Sequence, residues 1–317
     1  MDYAEELEEK LTMGKHSSVT AKPSLPVPSR QGEERDMRSK TPLLHGIAFV
    51  LLSATVALAN GGPEPFLFLK TGEKFATQEV AGPTVKGFTD YVGRKLAVSF
   101  EPEVMNDPVK AAEFCGAKKP IMGIVTPGFY LQYGKTLGLE PVSETRREGV
   151  IAEQYVLVVP KTAGDDVKTL AGKTVATTLA AEQRYVIGVI LQDKLGKEVR
   201  LKPTMDIEGA VFNLADGAKN AADAVLVEEA AWKLFENDSE LGPKLKVIYR
   251  SDELPRALVV LFGGNTSSVN AEKLKTVLKA MNDSEEGKTI LRSIRVQSFV
   301  DLDRERLTKA QELFLGK

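Results

Sequence analysis

The sequence predicts an α/β fold of two lobes, each a mixed, mostly parallel sheet with helices on both faces. Three observations predict it. Short apolar, β-branched runs alternate with helix-period stretches along most of the chain, the mark of strand–helix–strand units. Two continuous apolar runs, Tyr155–Val159 and Ala257–Phe262, bracket the middle third, so these two crossing strands let the chain leave a first lobe, build a second and return. No internal repeat points to a solenoid or a propeller.

The elements follow in order. Phe66–Lys70 is a short apolar run between Pro65 and Gly72 and reads as a strand. Thr77–Arg94 carries Val80, Val85, Phe88, Tyr91 and Val92 on one helical face. Leu96–Phe100 reads as a second strand. Asp107 followed by Pro108 is a helix start, with the helix running to about Cys115. Ile121–Val125 is a third strand, and a helix after Pro127 ends near Gly134. Tyr155–Val159 and Lys173–Ala176 are strands, and a helix spans Ala180–Leu195. Val199–Lys202, Ala224–Val227, Leu245–Tyr249 and Ala257–Phe262 are further strands, with a helix at Ile207–Leu214. The C-terminal part is helical: Asn270–Met281, Ser284–Ser293 and Arg304–Leu315.

The N-terminal part differs in kind. Residues 1–36 are acidic and then Ser/Pro/Lys-rich, with no apolar period, and are expected to be a disordered extension or to precede a true start at Met37. Residues 37–59 combine Arg38 and Lys40, an apolar run Leu43–Ala59 and the end Ala57-Leu58-Ala59, which describes a signal peptide cleaved after Ala59. The run is shorter than the roughly 20 residues of a comfortable membrane span. An uncleaved anchor is the alternative. Residues 60–158 are then the first part of lobe 1, 159–256 lobe 2, and 257–317 the return to lobe 1 with the C-terminal helices.

Composition narrows the function. A net charge of −2 gives no electrostatic footprint for nucleic acid. The single cysteine, Cys115, permits no intrachain disulfide and reads as a buried thiol. Both histidines, His16 and His45, lie in the leader, which removes His-based triads and His-based metal sites from the rest. No phosphate-loop motif is present, and Gly263-Gly264 lacks the spacing of a dinucleotide fingerprint. Glu228 and Glu229 are adjacent on a helix start and point apart, unlike the carboxylates of acid–base catalysis. No cofactor, no metal and no enzyme activity are expected.

Three segments carry a resemblance. Tyr155–Val159 with Asp166–Ala176, then Ala215-Asp216-Gly217 with Ala222-Asp223-Ala224-Val225, then Ser284–Leu291 resemble, in the same order, segments of type 2 periplasmic solute-binding proteins. Ile124–Tyr130 and the Thr177-Thr178 loop resemble the phosphate/phosphite/phosphonate-binding branch that serves ABC importers. The run Thr177–Glu182 departs from that branch, with fewer hydroxyls and an added carboxylate. The resemblance covers about residues 64–315. It implies a two-lobed, hinged, extracytoplasmic monomer that captures a small polar ligand, an oxyanion such as phosphate, phosphite or phosphonate, for an ABC permease. A membrane-anchored sensor that reports occupancy to a signalling partner is the alternative, and an enzyme built on this fold around Cys115 is a third reading.

In open α/β sheets, ligands bind beyond the carboxyl ends of strands, where helix N-termini offer free amides. Thr71, Thr126, Thr177 and Thr178 sit at such ends, and their hydroxyls can donate to a ligand oxygen. By resemblance, Tyr130 matches a binding-site tyrosine. Arg184 lies one turn beyond Thr178 and can reach an anion, and Glu228 can grip a ligand amine. Each has a structural competitor: helix capping for the threonines, packing for Tyr130, ion pairing for Arg184, helix capping for Glu228.

Overall fold

The computed structural model describes residues 62–147, 150, 152–195, 198–263 and 269–317. The expected extension, signal peptide and cleavage point lie outside the described residues.

The first lobe begins with β1 (Glu64–Leu69), α1 (Gln78–Leu96) and β2 (Phe100–Met105). Thr77 caps α1 by accepting from the Val80 amide, and Ala97 ends it in the left-handed region at φ 58°. The strand expected at Leu96–Phe100 therefore starts only at Phe100. Leu96 extends the buried helix face of Phe88, Tyr91 and Val92 instead. Asp107 caps α2 (Pro108–Lys118), with Pro108 in its first turn. β3 (Met122–Val125) leads into α3 (Pro127–Leu137), capped by Thr126 and ended by Gly138 at φ 62°. The next strand, β4 (Leu139–Arg146), has no sequence signal because it buries the polar residues Ser143, Glu144 and Thr145.

The second lobe holds β5 (Tyr155–Pro160), β6 (Thr174–Thr177), β7 (Arg200–Pro203), α4 (Ile207–Ala215), β8 (Ala224–Glu228), α5 (Glu229–Glu236) and β9 (Leu245–Arg250). The helix expected at Ala180–Leu195 is instead a 3-10 turn, Ala180–Glu182, followed by a π-helical segment, Tyr185–Ile190. The wider turn closes with the Leu191 amide on the Val186 carbonyl, five residues back, and buries Tyr185, Val186, Val189 and Ile190 together. The chain then returns through β10 (Leu258–Phe262), α6 (Ala271–Lys279), α7 (Glu285–Ser293), β11 (Ser298–Val300) and α8 (Arg304–Leu315).

The first sheet has the order β11-β4-β10-β3-β1-β2 and the second β7-β6-β8-β5-β9. Both are mixed. β1 runs parallel to β2 and β3, whereas β10 runs antiparallel to β3 and β4, and β11 antiparallel to β4. β6 is parallel to β7 and β8, and β5 antiparallel to β8 and β9. Strands β5 and β10, which enter from the other lobe, run against strands reached by helical crossovers within a lobe. β5 pairs only within the second sheet, and the lobe boundary expected between 158 and 159 falls inside it. The chain crosses earlier, between β4 and β5, and returns between β9 and β10. The two crossings are tied by a Glu153–Leu254 antiparallel bridge.

Alternation along each strand sends side chains to both faces. In β1, Phe66 joins a core cluster with Phe88, Phe100 and Leu274, while Leu67 and Leu69 join another with Phe129, Cys115 and Val260. In β5, Leu157 and Val159 pack with Tyr185 and Val189, and Val156 and Val158 with Val211 and Trp232. A strand with both faces covered has no polar side, which is why these runs read as continuously apolar. α8 is shared: Leu307 packs on the first-sheet cluster, Ala310 and Phe314 on the second. Leu157 is fully buried, so Leu157→Ala should cost about 2–5 kcal/mol of stability, read from urea denaturation midpoints.

Candidate functional site

The ends of β1, β3 and β6 meet between the two lobes. Thr71 follows β1, Thr126 caps α3 after β3, and Glu182 ends the 3-10 turn after β6. The Thr71 hydroxyl donates to Glu182 Oε1 at 2.6 Å, and the Thr126 hydroxyl donates to the same oxygen at 2.5 Å. Thr126 uses its oxygen a second time, accepting from the Phe129 amide at 3.3 Å as the N-cap of α3. Two hydroxyls from the first lobe thus converge on one carboxylate oxygen from the second.

Glu182 is only 7% exposed, and its other oxygen, Oε2, has no hydrogen-bond partner among the described residues. Oε2 lies against Gly128, where a Cβ would come within 2.2 Å of it. Burial pushes the Glu182 carboxyl above its ordinary range, partly offset by the two threonine donors. Tyr185 is buried beside it, and its hydroxyl also has no partner among the described residues. Gly128, Glu182, Arg184 and Tyr185 line a pocket of about 210 Å³, walled on other sides by Phe129, Tyr133 and Phe314.

The lobes also touch through backbone. Gly72 sits at φ +70°, and a Cβ there would come within 1.9 Å of the Thr178 carbonyl oxygen. A left-handed turn with no side chain lets the β1 end approach the loop after β6.

The other expected site residues have partners of their own within the protein. Thr177 is 1% exposed and accepts from the Leu179 amide at 3.2 Å, so it closes a turn rather than facing a ligand. Thr178 contributes its backbone at the Gly72 contact. Tyr130 accepts from Gln311 of α8 at 3.3 Å and packs with the first-lobe core, which assigns its phenol to interlock α3 and α8. Arg184 donates Nε to the Phe314 carbonyl at 2.9 Å and stacks 4.7 Å over the Phe314 ring, capping the end of α8 while lining the pocket. Glu228 is not at the site. It accepts from Arg147 where the chain crosses between lobes, and its side chain makes no capping bond to α5. Cys115 is a buried thiol that burial pushes to about 12. Glu182 is the residue that the sequence marks only as the added carboxylate of the Thr177–Glu182 run, without placing it in the site.

The crossing region holds its own charge cluster. Arg147 pairs with Glu228 and lies 4.0 Å from Glu153, and Tyr155 donates to Glu153 at 3.1 Å. Arg256, buried beside them, donates to the Val150 carbonyl at 3.1 Å. Burial, reinforced by the nearby Glu228 charge, pushes the Glu153 carboxyl up to about 7. A carboxyl raised in the folded state holds its proton more tightly there than in the unfolded chain. Its contribution is present at low pH and is lost as the pH rises from about 4.5 to about 7. Glu153→Gln should flatten the stability profile across that window by no more than about 3 kcal/mol, read from denaturation at a series of pH values.

Comparisons with known proteins agree with this architecture. The family model described as "ABC transporter, phosphonate, periplasmic substrate-binding protein" matches residues 75–307. A search of curated proteins gives no match. Among solved structures, a Xanthomonas citri protein bound to chloride ion superposes with TM-score 0.63 at 14% identity, over 80% of this chain and 97% of that one. A binding protein component of an ABC phosphonate transporter from Pseudomonas aeruginosa gives 0.59 at 14% identity, over 80% and 86%. PhnD1 from Prochlorococcus marinus, in complex with methylphosphonate, gives 0.54 at 15% identity, over 80% and 98%. These likenesses show a shared two-lobed fold. With the family model spanning most of the chain, and two lobes meeting at hydroxyl-bearing strand ends, this chain belongs to the family of periplasmic substrate-binding proteins of phosphonate ABC transporters.

Proposed function

We propose that this chain captures a small oxyanion between its lobes and delivers it, outside the cytoplasm, to an ABC permease. The observation that carries the reading is the convergence of Thr71 and Thr126 on the Glu182 carboxylate. Two hydroxyl donors already hold a carboxylate oxygen there, beside the first turn of α3, which is the chemistry an oxyanion solute needs. The methylphosphonate complex of the Prochlorococcus marinus protein supports a phosphonate as the ligand class. The chain works as a monomer that binds and releases without a cofactor or a chemical step, and it reaches its compartment by cleavage after Ala59. Residues 60–317 make up the working receptor, whose crossings between lobes act as the hinge.

A thermal-shift screen of the chain from residue 60 against phosphate, phosphite, methylphosphonate and amino acids tests this. A solute at a hundredfold excess over its dissociation constant should stabilise the protein by about 2.7 kcal/mol. Stabilisation by an oxyanion supports the reading, and a response to amino acids alone would sink it.

A further inference from the structure

The buried stripe of α8 is divided between the two lobes. Leu307, Ala310, Gln311 and Phe314 follow the i, i+3, i+4, i+7 spacing of a single helix face. Leu307 packs with the first-lobe cluster of Leu67 and Val260, and Gln311 bonds Tyr130 of α3. Ala310 and Phe314 pack with the second-lobe cluster of Tyr185 and Val189. In the middle of the helix, Arg306 pairs with Glu253 at 3.1 Å and Lys309 with Asp252 at 2.8 Å, both partners lying on the return crossing. From its first turn to its last, α8 reaches from the first lobe, past the hinge, to the second.

Its two ends are held differently. At the N-terminal end the chain arrives from β11, which pairs with β4, and the Asp303 amide donates to the buried Glu144 at 3.1 Å. At the C-terminal end no covalent link joins α8 to the second lobe. The hold there is buried Phe314, with the Arg184 guanidinium 4.7 Å over its ring and Arg184 Nε donating to its carbonyl at 2.9 Å. The last carbonyls of a helix lack intrahelical partners, and a cation suits that negative end. Gly188 in the π-helical segment leaves room for the last turn: the Leu313 carbonyl oxygen stands 3.5 Å from where a Cβ would be. Phe314 lies about 10 Å along the helix axis from Leu307. A rigid helix does not stretch, so rotation of the lobes at the crossings has to break one hold. The one without a covalent tether gives way.

Resting on the capture reading, we propose that the last turn of α8 is a latch on the closed receptor. Phe314 seats on the second lobe when the lobes close and leaves it when they open, while the start of α8 stays with the first lobe. Arg184 joins the latch to the site. It lies two residues after Glu182, which accepts from Thr71 and Thr126, so one short segment carries both the strand-end contact and the seat for Phe314. The closed form is thus held at two places. Releasing the latch lowers the closed fraction, and the apparent affinity for a solute falls with it.

Hydrogen exchange read by mass spectrometry tests this on the unsubstituted chain from residue 60, which contains both lobes, with methylphosphonate as the probe. The peptide over 309–317 should exchange at least about tenfold more slowly once the solute saturates the protein. The peptide over 285–293, which is α7 and packs on the first-lobe core through Leu291, should not change. Phe314→Ala should weaken methylphosphonate binding about tenfold or more in isothermal titration and erase the exchange difference. Leu315→Ala, at an exposed position one residue on, should keep both. The exchange result needs no substitution, so it stands even if Phe314→Ala fails to fold. Equal protection of 309–317 with and without bound solute overturns the latch while the capture reading stands. Absence of titration heat from methylphosphonate, phosphate and phosphite alike overturns the oxyanion reading. The latch is then decided in solute-free protein, where Phe314→Ala should give a larger radius of gyration than Leu315→Ala; equal radii overturn it too.

Discussion

Gly72→Ala should weaken solute capture by on the order of a hundredfold, about 2.7 kcal/mol, while leaving both lobes folded. The reason is a single atom. A Cβ at this position would sit 1.9 Å from the Thr178 carbonyl oxygen, which belongs to the other lobe, and neither group is a flexible side-chain tip. The lobes must stand off by more than an ångström, and Thr71, next to Gly72, moves away from Glu182. An alanine at φ +70° also carries a backbone penalty of about 1–2 kcal/mol. Gly172→Ala separates the two effects. Gly172 sits at φ +72° with nothing within 4 Å of the added carbon, so it bears the same strain with no clash across the lobes. Gly172→Ala should lose stability and keep affinity. Gly72→Ala should lose both, as measured by denaturation and by titration with methylphosphonate.

The second large effect concerns the charge on Glu182. Thr71→Val with Thr126→Val removes both donors from Oε1 and leaves a buried carboxylate with neither oxygen bonded. Hydrogen bonds to charged groups are worth about 1.5–3 kcal/mol each, so the closed arrangement loses roughly 3–6 kcal/mol. Opening returns Glu182 to water, which makes the expected readout an open receptor rather than an unfolded one. Loss of the α3 cap adds about 1 kcal/mol to the stability cost. The sign of the pH dependence follows from burial. The carboxyl is already raised, and without its donors it is raised further, so the closed form is favoured at low pH and lost as the pH rises through the folded-state value. With methylphosphonate at a concentration that saturates the unsubstituted protein, small-angle scattering of the double variant should give a larger radius of gyration at pH 8 than at pH 5. An unchanged radius at both pH values would mean that Glu182 does not hold the lobes together.

The fold was legible where the physics is local. Continuous apolar runs mark β5 and β10 because both faces of each strand are covered, and Asp107-Pro108 and Ser284 mark helix starts through caps made within a few residues. β4 was not legible, because its buried Ser143 donates to the Val300 carbonyl and its buried Glu144 accepts from the Asp303 amide, 157 and 159 residues away. A polar residue reads as exposed unless its distant partner is known. The same blindness governed the site. Thr71 and Thr126 stood out as strand-end hydroxyls, yet the carboxylate they hold lies 111 and 56 residues further along. Arg184 and Glu228 looked free for a ligand because Phe314 and Arg147 are 130 and 81 residues distant. Tyr130 followed the family pattern in sequence, but Gln311, 181 residues on, claims its phenol. The π-helical segment after Glu182 was hidden for a different reason: Tyr185–Ile190 is four β-branched residues with a tyrosine and Gly188, a composition that singles out no helix type, and the wider turn goes with the burial they achieve together.

Everything rests on two lobes that close on a solute at the ends of β1, β3 and β6. Spin labels at two exposed positions, one on α2 and one on α4, report that motion directly: Glu113→Cys and Glu208→Cys, with the buried Cys115 replaced by alanine. Pulsed dipolar spectroscopy should show the inter-label distance shorten and narrow on saturation with methylphosphonate, and stay long when Gly72→Ala is added. A distance that does not respond, in protein whose titration heat proves the solute is bound, would contradict closure and with it the assignment of the site.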